Sequence, residues 1–304
     1  MSATVLNASD VAAGYREQVR RAVADLATGG RSLRIVGLLG QDEGPAATYA
    51  EYARRGCESV GIAMDLRRVE ADEVAPVIAG ANLDDSVDGI FLYYPLTDRA
   101  GDRWLRELVD PRKDVEGLHS FWSRLLYENR RFVDDERTQR AILPCTPLAI
   151  LKMLQHAGMR GSGGEVPLQG VTACVINRSD VVGRPLSAML ANDGARVYSL
   201  DVTGTVVFEP AIGRHAHAVS DSDATRAQAL AEADVVITGV PSASFDLVRG
   251  DEIRAGAICV NVSEKRNFED SVLERASAFV PRLGPLTVAM AMRNLVRIAS
   301  MEWR

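Results

Sequence analysis

The residues best suited to chemistry lie in the stretch 174–202, CVINRSDVVGRPLSAMLANDGARVYSLDV. An apolar run at 174–176 leads into a polar turn, Asn177-Arg178-Ser179-Asp180. Val182-Gly183-Arg184-Pro185 then reads as a helix start, and a second apolar run, 195–200, ends at Asp201-Val202. Strand, turn, helix, strand and acid in that order form half of a dinucleotide-binding unit. The helix N-terminus faces a pyrophosphate and the acid takes the adenosine ribose hydroxyls. Asp201 stands roughly 20 residues beyond the turn, the spacing such an acid needs. A carboxylate there accepts from two hydroxyls and repels a 2′-phosphate, which predicts NAD over NADP. The G-x-G-x-x-G fingerprint is incomplete, because Asn177 and Ser179 occupy glycine positions and only Gly183 remains. A plain strand-helix-strand scaffold with a solvated aspartate therefore stays open as the other reading.

The elements that must position these residues form two series. Residues 8–28 read as an amphipathic helix, with Val11, Tyr15, Val19, Val23 and Leu26 at helical spacing. Apolar runs at 33–39, 61–66 and 89–92 alternate with helical stretches at 46–59, 71–81 and 102–109. The second series has strands at 171–176, 195–200, 233–238 and 257–262, helices at 183–192 and 224–232, and a short run at 278–281. This alternation predicts the α/β class, with parallel sheets covered by helices. Gly161-Ser162-Gly163-Gly164 is the most linker-like stretch, and 203–223 reads as a long irregular, mobile insertion. Turns at the C-terminal ends of parallel strands collect ligands, which adds Gly239-Val240-Pro241 and Asn261-Val262 to the candidates.

Composition narrows the function class. A chain of 304 residues with 47% hydrophobic content can bury two ordinary cores. The net charge of −6 argues against a nucleic-acid partner, and no apolar run approaches the roughly 18 residues of a membrane span. The first residues, MSATVLNASD, lack the basic and apolar segments of a signal peptide. Cys57, Cys145, Cys174 and Cys259 are widely spaced without a C-x-x-C, which predicts reduced thiols in a cytoplasmic protein. His215-x-His217 lacks a third ligand nearby, so no metal is expected.

Five ordered motifs make the chain similar to the methylenetetrahydrofolate dehydrogenase/cyclohydrolase family. The family's G-R-S-x-I-V-G-x-P reads NRSDVVGRP at 177–185. Tyr49, Tyr93-Tyr94-Pro95-Leu96, Lys113-Asp114-Val115-Glu116-Gly117, Pro144-Cys145-Thr146-Pro147 and Gly284-Pro285-Leu286-Thr287 match its other landmarks. The resemblance implies two α/β domains with a cleft between them. A folate-binding domain would comprise 1–147 plus 284–304, with the last helix (285–301) packed onto it. A Rossmann-like NAD-binding domain would comprise 148–283, and a helix at 147–157 would join the two. It further implies a homodimer and a folate held in the cleft.

By the same resemblance, Tyr49 stacks on folate, Tyr93, Pro95, Leu96, Pro285 and Thr287 border it, and Glu116 accepts pterin N–H groups. Cys145 lines the cleft. Asn177, Arg178, Ser179, Val182, Gly183, Asp201, Val202, Gly239, Val240, Pro241, Asn261 and Val262 hold the cofactor. Read without it, Tyr49 is a core aromatic, Glu116 a solvated loop acid, Cys145 a small buried residue and Thr287 a good helix start.

Departures from the family pattern point to one branch. The bifunctional members carry Tyr-x-x-x-Lys, the lysine serving hydrolysis, but here the fourth residue after Tyr49 is Ala53. Arg54 and Arg55 are turned about 100° and 200° away on a helix. The family glutamine becomes Tyr93, its aspartate Glu116 and its histidine-containing strand end Leu200-Asp201-Val202. Together these resemble the fungal-type, monofunctional NAD-dependent branch. The expectation is hydride transfer from 5,10-methylenetetrahydrofolate to NAD without the cyclohydrolase step. A bifunctional enzyme using another residue, or a cofactor-binding homologue without turnover, are the alternatives.

Overall fold

Buried β-branched runs and amphipathic helices build two sheets in the computed structural model, which describes residues 2–163, 166–211 and 217–303. The chain divides into two compact units. One holds the chain up to Val11, Leu126–Arg130 and Thr146–Leu283; the other holds Ala12–Leu125, Arg131–Cys145 and the chain from Gly284 onward.

The first unit carries an eight-stranded sheet, numbered in chain order as β1 (Thr4–Val5), β5 (Thr172–Ile176), β6 (Arg196–Asp201), β7 (Gly204–Glu209), β8 (Ala218–Ser222), β9 (Val235–Thr238), β10 (Ile258–Asn261) and β11 (Ala278–Val280). Their spatial order is β1-β11-β10-β9-β5-β6-β7-β8, parallel except at β6–β7 and β7–β8. β9 and β10 are buried along their whole length, as strands covered on both faces must be. Helix α7 (Gly183–Asn192) connects β5 to β6, and α8 (Arg226–Glu232) precedes β9. β6 lies on one side of β5 and β9 on the other, so strand order reverses between β5 and β9. That is the topological switch point where a Rossmann-like sheet receives its ligand.

The second unit carries the parallel sheet β3-β2-β4, formed by β2 (Arg34–Leu39), β3 (Ala63–Arg68) and β4 (Gly89–Tyr93). Helices α2 (Pro45–Glu58), α3 (Val74–Leu83), α4 (Arg99–Leu108), α9 (Gly284–Ala299) and all but the last two residues of α5 (Ser120–Tyr127) belong to it. α1 (Ala8–Thr28) and α6 (Cys145–His156) each run from one unit into the other.

Four expectations need correction. The described part of 203–223 is not an irregular loop: Asp201 pairs with Gly204 across a two-residue turn, and β7 pairs with β8, while 212–216 lie outside the described residues. Its Val206-Val207-Phe208 run is an ordinary strand signal, and Val207 and Phe208 are buried. The first strand leaves the unit expected at 1–147, because β1 pairs with β11 in the other sheet. Within the linker-like stretch, Gly161 and Ser162 instead form a turn inside one unit, bonded to Pro167 O and Gln169 O. Strand β3 continues past its apolar run through Arg67 and Arg68, because a sheet edge leaves those side chains in water.

His215 lies outside the described residues. His217 is half-buried, 2.9 Å from Asn192 Oδ1 and against Phe208. Among the described residues no group of three His, Cys, Asp or Glu side chains could hold a metal, and no helix is long and apolar enough to cross a membrane. The four cysteines are buried, and none is in a disulfide.

Candidate active site

At the switch point, β5 ends at Asn177, whose φ of 87° is left-handed, a conformation asparagine tolerates better than most residues. Asn177 thus does a glycine's conformational work, and its Nδ2 donates to Gly239 O at the end of β9. Gly183 is required for a different reason. A Cβ there would overlap Asn177 O, so only glycine lets α7 start this close to the turn. Ser179 Oγ accepts from Val182 N and Gly183 N (3.2 and 3.3 Å), Ser179 O accepts from Arg184 N, and Pro185 has no N–H. The first donors of α7 are therefore satisfied internally. The N–H groups of the preceding turn at Ser179 and Val181 make no such bond.

Asp201, at the end of β6, is fixed by two backbone donors, Arg178 N to Oδ2 (2.8 Å) and Val202 N to Oδ1 (2.7 Å). The Arg178 guanidinium is held by Ser199 O, Thr203 Oγ1 and Gly204 O, while Arg196 pairs with Glu209 and lies over the Tyr198 ring. Val202 is fully exposed and Pro241 is exposed.

Two asparagines brace the far side of this edge. Asn267, fully buried, donates to Val240 O (3.0 Å) and accepts from Val240 N (2.9 Å). Asn261 Nδ2 donates to Ser263 O, Lys265 O and Pro281 O, while Val262 N donates to Thr238 O. Thr238 Oγ1 and Asn261 Oδ1, on paired residues of adjacent strands, are buried without a partner. Asn267 was not among the sequence candidates, and its only signal was an amide four residues after Ser263. The strand-turn-helix with its close-packed glycine and the fixed acid one strand away suits a dinucleotide.

In the other unit, Tyr49 on α2 sits edge-on to Phe91 and Tyr93 of β4, with centroids 6.5 and 5.9 Å away. Phe91 and Tyr93 project to the same face at i and i+2 and stack at 4.6 Å. Tyr49 is half-buried, and its hydroxyl is buried without a partner. Its ring lies beside Gly284, at the start of α9, where half-buried Pro285 and buried Thr287 follow in sequence. Burial pushes both the Tyr49 and Tyr93 hydroxyls well above the usual phenol range. Ala53, one turn beyond Tyr49, is sealed in the core, as is Cys57 one turn further on.

Glu116 and Asp114 share a buried loop. Asp114 accepts from the N–H groups of Glu116, Gly117 and His119, at 3.1, 2.9 and 2.8 Å. Glu116 has one backbone donor, Leu92 N to Oε2 at 3.1 Å. Burial first, and the Asp114 carboxylate second, push Glu116 up to about 8. Burial also raises Asp114, but its three donors favour its ionised form, so Glu116 is the member that takes the proton. Glu116 is thus a buried acid with Oε1 unengaged, not a solvated loop residue.

Asn294 of α9, fully buried, donates from Nδ2 to Val115 O and Leu143 O, tying the Glu116 loop to the segment before Cys145. Cys145 N donates to Glu116 O (3.0 Å), and Gly117, at φ 71°, lies so close that a Cβ would meet Leu143 O at 2.8 Å. Tyr49, Tyr93, Glu116, Cys145 and the start of α9 are thereby gathered. Leu96 is not: its side chain packs into the cluster with Val36, Leu38 and Leu105, while Pro95 stays exposed. Its apolar type, one residue after an exposed proline, gave no hint of that direction. Asn294 and Phe91 were also missed. A lone amide seven residues after Thr287, on the same helix face, was the available signal for Asn294.

Residues 6–116 match the model for the tetrahydrofolate dehydrogenase/cyclohydrolase catalytic domain, and 144–303 match the model for that family's NAD(P)-binding domain. The methylenetetrahydrofolate dehydrogenase [NAD(+)] of Schizosaccharomyces pombe is 38% identical over 99% of this chain and 94% of its own length. Its Saccharomyces cerevisiae counterpart is 40% identical over 88% and 87%. The solved structure of the NAD-dependent 5,10-methylenetetrahydrofolate dehydrogenase of S. cerevisiae superposes with a TM-score of 0.92, at 37% identity, covering 98% of both chains. The chain belongs to the tetrahydrofolate dehydrogenase/cyclohydrolase family.

Proposed function

We propose that this protein oxidises 5,10-methylenetetrahydrofolate to 5,10-methenyltetrahydrofolate by hydride transfer to NAD, without hydrolysing the product. The observation that carries the reading is the gathering of Tyr49, Tyr93 and Glu116, with Ala53 sealed where a hydrolytic lysine would stand.

The substrate's CH₂ bridges two nitrogens. As hydride leaves, nitrogen lone pairs push in and a methenyl cation forms. No proton leaves the carbon, so no general base is required. NAD, when bound, supplies the hydride acceptor. The protein's task is positioning and charge. Tyr49 offers its ring to the planar folate, with Phe91 and Tyr93 fixing its tilt. Pro285 and Thr287 border the same space. Glu116 Oε1 accepts a pterin N–H, and that donor, like the developing cation, favours the ionised carboxyl. Cys145 serves as a small wall residue whose N–H braces Glu116. On the cofactor side, Asp201 receives the ribose hydroxyls, and Asn177, Ser179, Val182 and Gly183 shape the pyrophosphate turn. Gly239, Val240, Pro241, Asn261 and Val262 form the remaining edge, which Asn267 supports through Val240.

Hydrolysis needs an activated water, and neither the stacked Phe91–Tyr93 pair nor the buried Ala53 supplies a base for it. Four buried cysteines outside any disulfide support a reducing, cytoplasmic setting. A homodimer is the proposed assembly; β8 is an open sheet edge with pairing groups available. One assay tests the reaction: NADH and methenyl-folate absorbance followed together. Stoichiometric rise of both, with the methenyl signal then decaying only at the buffer rate, supports the proposal. Accelerated decay contradicts the monofunctional half, and absence of NADH formation contradicts the whole.

A further inference from the structure

Arg140, Arg293 and Arg297 converge in the unit built on the three-stranded sheet. Arg293 and Arg297 stand one turn apart on α9, both half-buried. Arg297 Nη1 reaches Ala141 O at 3.4 Å, which brings it beside Arg140. Arg140 lies over the Phe132 ring at 5.1 Å, and Arg293 faces Tyr15 of α1. Among the described residues none of the three has a carboxylate partner. Other arginines here are neutralised, as Arg54 is by Glu51 and Glu58, and Arg226 by Asp246 and Glu252. The chain as a whole carries six more acidic than basic side chains, so three unpaired guanidinium groups together are not a consequence of composition.

Burying a cation without a counter-charge is costly, and placing two more beside it adds repulsion. Burial chiefly, then Arg293 and Arg140, lower Arg297 to about 10. Such an arrangement is relieved by an anion carrying more than one charge, held by several planar donors at once.

We propose that Arg140, Arg293 and Arg297 form a binding site for a multiply charged oxyanion of the carboxylate or phosphate class. Two sources share that chemistry: the γ-linked glutamate tail of a folate, and a free polyphosphate. Choosing the first rests on the function proposed above; the site itself does not.

The test is thermal unfolding of the full chain with γ-linked pentaglutamate or tripolyphosphate, against sodium chloride of equal ionic strength. The expected result is a saturable rise in Tm of about 5 °C over the salt control with at least one of the two probes. It should be lost in Arg297→Met, which keeps the apolar stem, and reduced in Arg140→Gln. Without ligand, Arg297→Met should itself melt higher than wild type, because an unpaired buried charge is gone. No rise beyond the salt control overturns the proposal, and so does a rise of equal size in both variants, which means binding elsewhere. A tenfold higher KM for pentaglutamyl but not monoglutamyl substrate in Arg297→Met identifies the tail. Stabilisation with unchanged KM ratios identifies a free oxyanion. A protein that shows no folate turnover still gives the Tm result, so the two readings fail separately.

Discussion

Asn294 reaches from α9 to the carbonyl oxygen of Val115 at 3.0 Å, and the same nitrogen donates to Leu143 O at 2.9 Å. One amide therefore sets the spacing between the Glu116 loop and the segment leading to Cys145. Asn294→Leu leaves two buried carbonyls unpaired, at about 1–3 kcal/mol each. Urea unfolding should show a loss of about 2–4 kcal/mol, and the KM for the folate should rise more than that for NAD. Asn294→Asp should be similarly weak near neutral pH and recover partly in acid, when its carboxyl protonates and can donate. Wild-type stability and KM in both variants would show that the loop holds itself.

Glu116 titrates high, and that fixes the sign of two pH effects. Its ordinary value of 4.5 rises to about 8 on folding. The folded chain then binds a proton that the unfolded chain has released, so stability is greatest below 4.5 and falls as pH rises towards about 8. The slope from this group is roughly 1 kcal/mol per pH unit. Glu116→Gln should remove that component of the pH dependence of unfolding.

Catalysis runs the other way. If the carboxylate is the form that accepts the pterin N–H, kcat/KM should rise through about 8 in the free enzyme and level off above. Glu116→Gln loses a charged hydrogen bond of about 1.5–3 kcal/mol, or roughly ten- to over a hundredfold in kcat/KM, with a flat profile across this range. NAD affinity should stay unchanged. A wild-type rate and profile in the variant would remove Glu116 from the site.

Asp201 is pinned by Arg178 N and Val202 N, and the two nearby guanidinium groups are already engaged. Among the described residues neither of these guanidinium groups is free to meet a 2′-phosphate, so kcat/KM with NAD should exceed that with NADP by a wide margin. Asp201→Ser should narrow the ratio mostly through the KM of NADP. Equal efficiency of the two cofactors in wild type contradicts this reading.

Ala53 is 1% exposed, one helical turn after Tyr49. Ala53→Lys should therefore not create a cyclohydrolase. It should lower stability by about 2–3 kcal/mol, because an ammonium is forced in without a counter-charge. Pairing it with Tyr93→Gln should recover part of that loss by opening the space now filled by the ring. Efficient methenyl-folate hydrolysis by the single variant would show that room exists.

Local sequence determined the strand-turn-helix at 172–192, because it depends on nearest neighbours: an apolar run, a residue that tolerates positive φ at 177, and a glycine at 183. It likewise determined which acid ends β6, since that position follows from strand length. The hairpin of β7 and β8 was equally local, and its Val206-Val207-Phe208 run was readable as a strand. Only the tertiary structure decided the direction of Leu96, the membership of β1 in the sheet of residues far away in sequence, and the state of Glu116. Residue type names a carboxyl group, but its charge depends on burial and on the donors around Asp114, supplied by the fold of its loop. Asn294 and Arg297 were illegible for the same reason. Whether an amide spans two loops or an arginine lacks a partner depends on what long-range packing brings within about 3–4 Å, and no spacing along the chain records that.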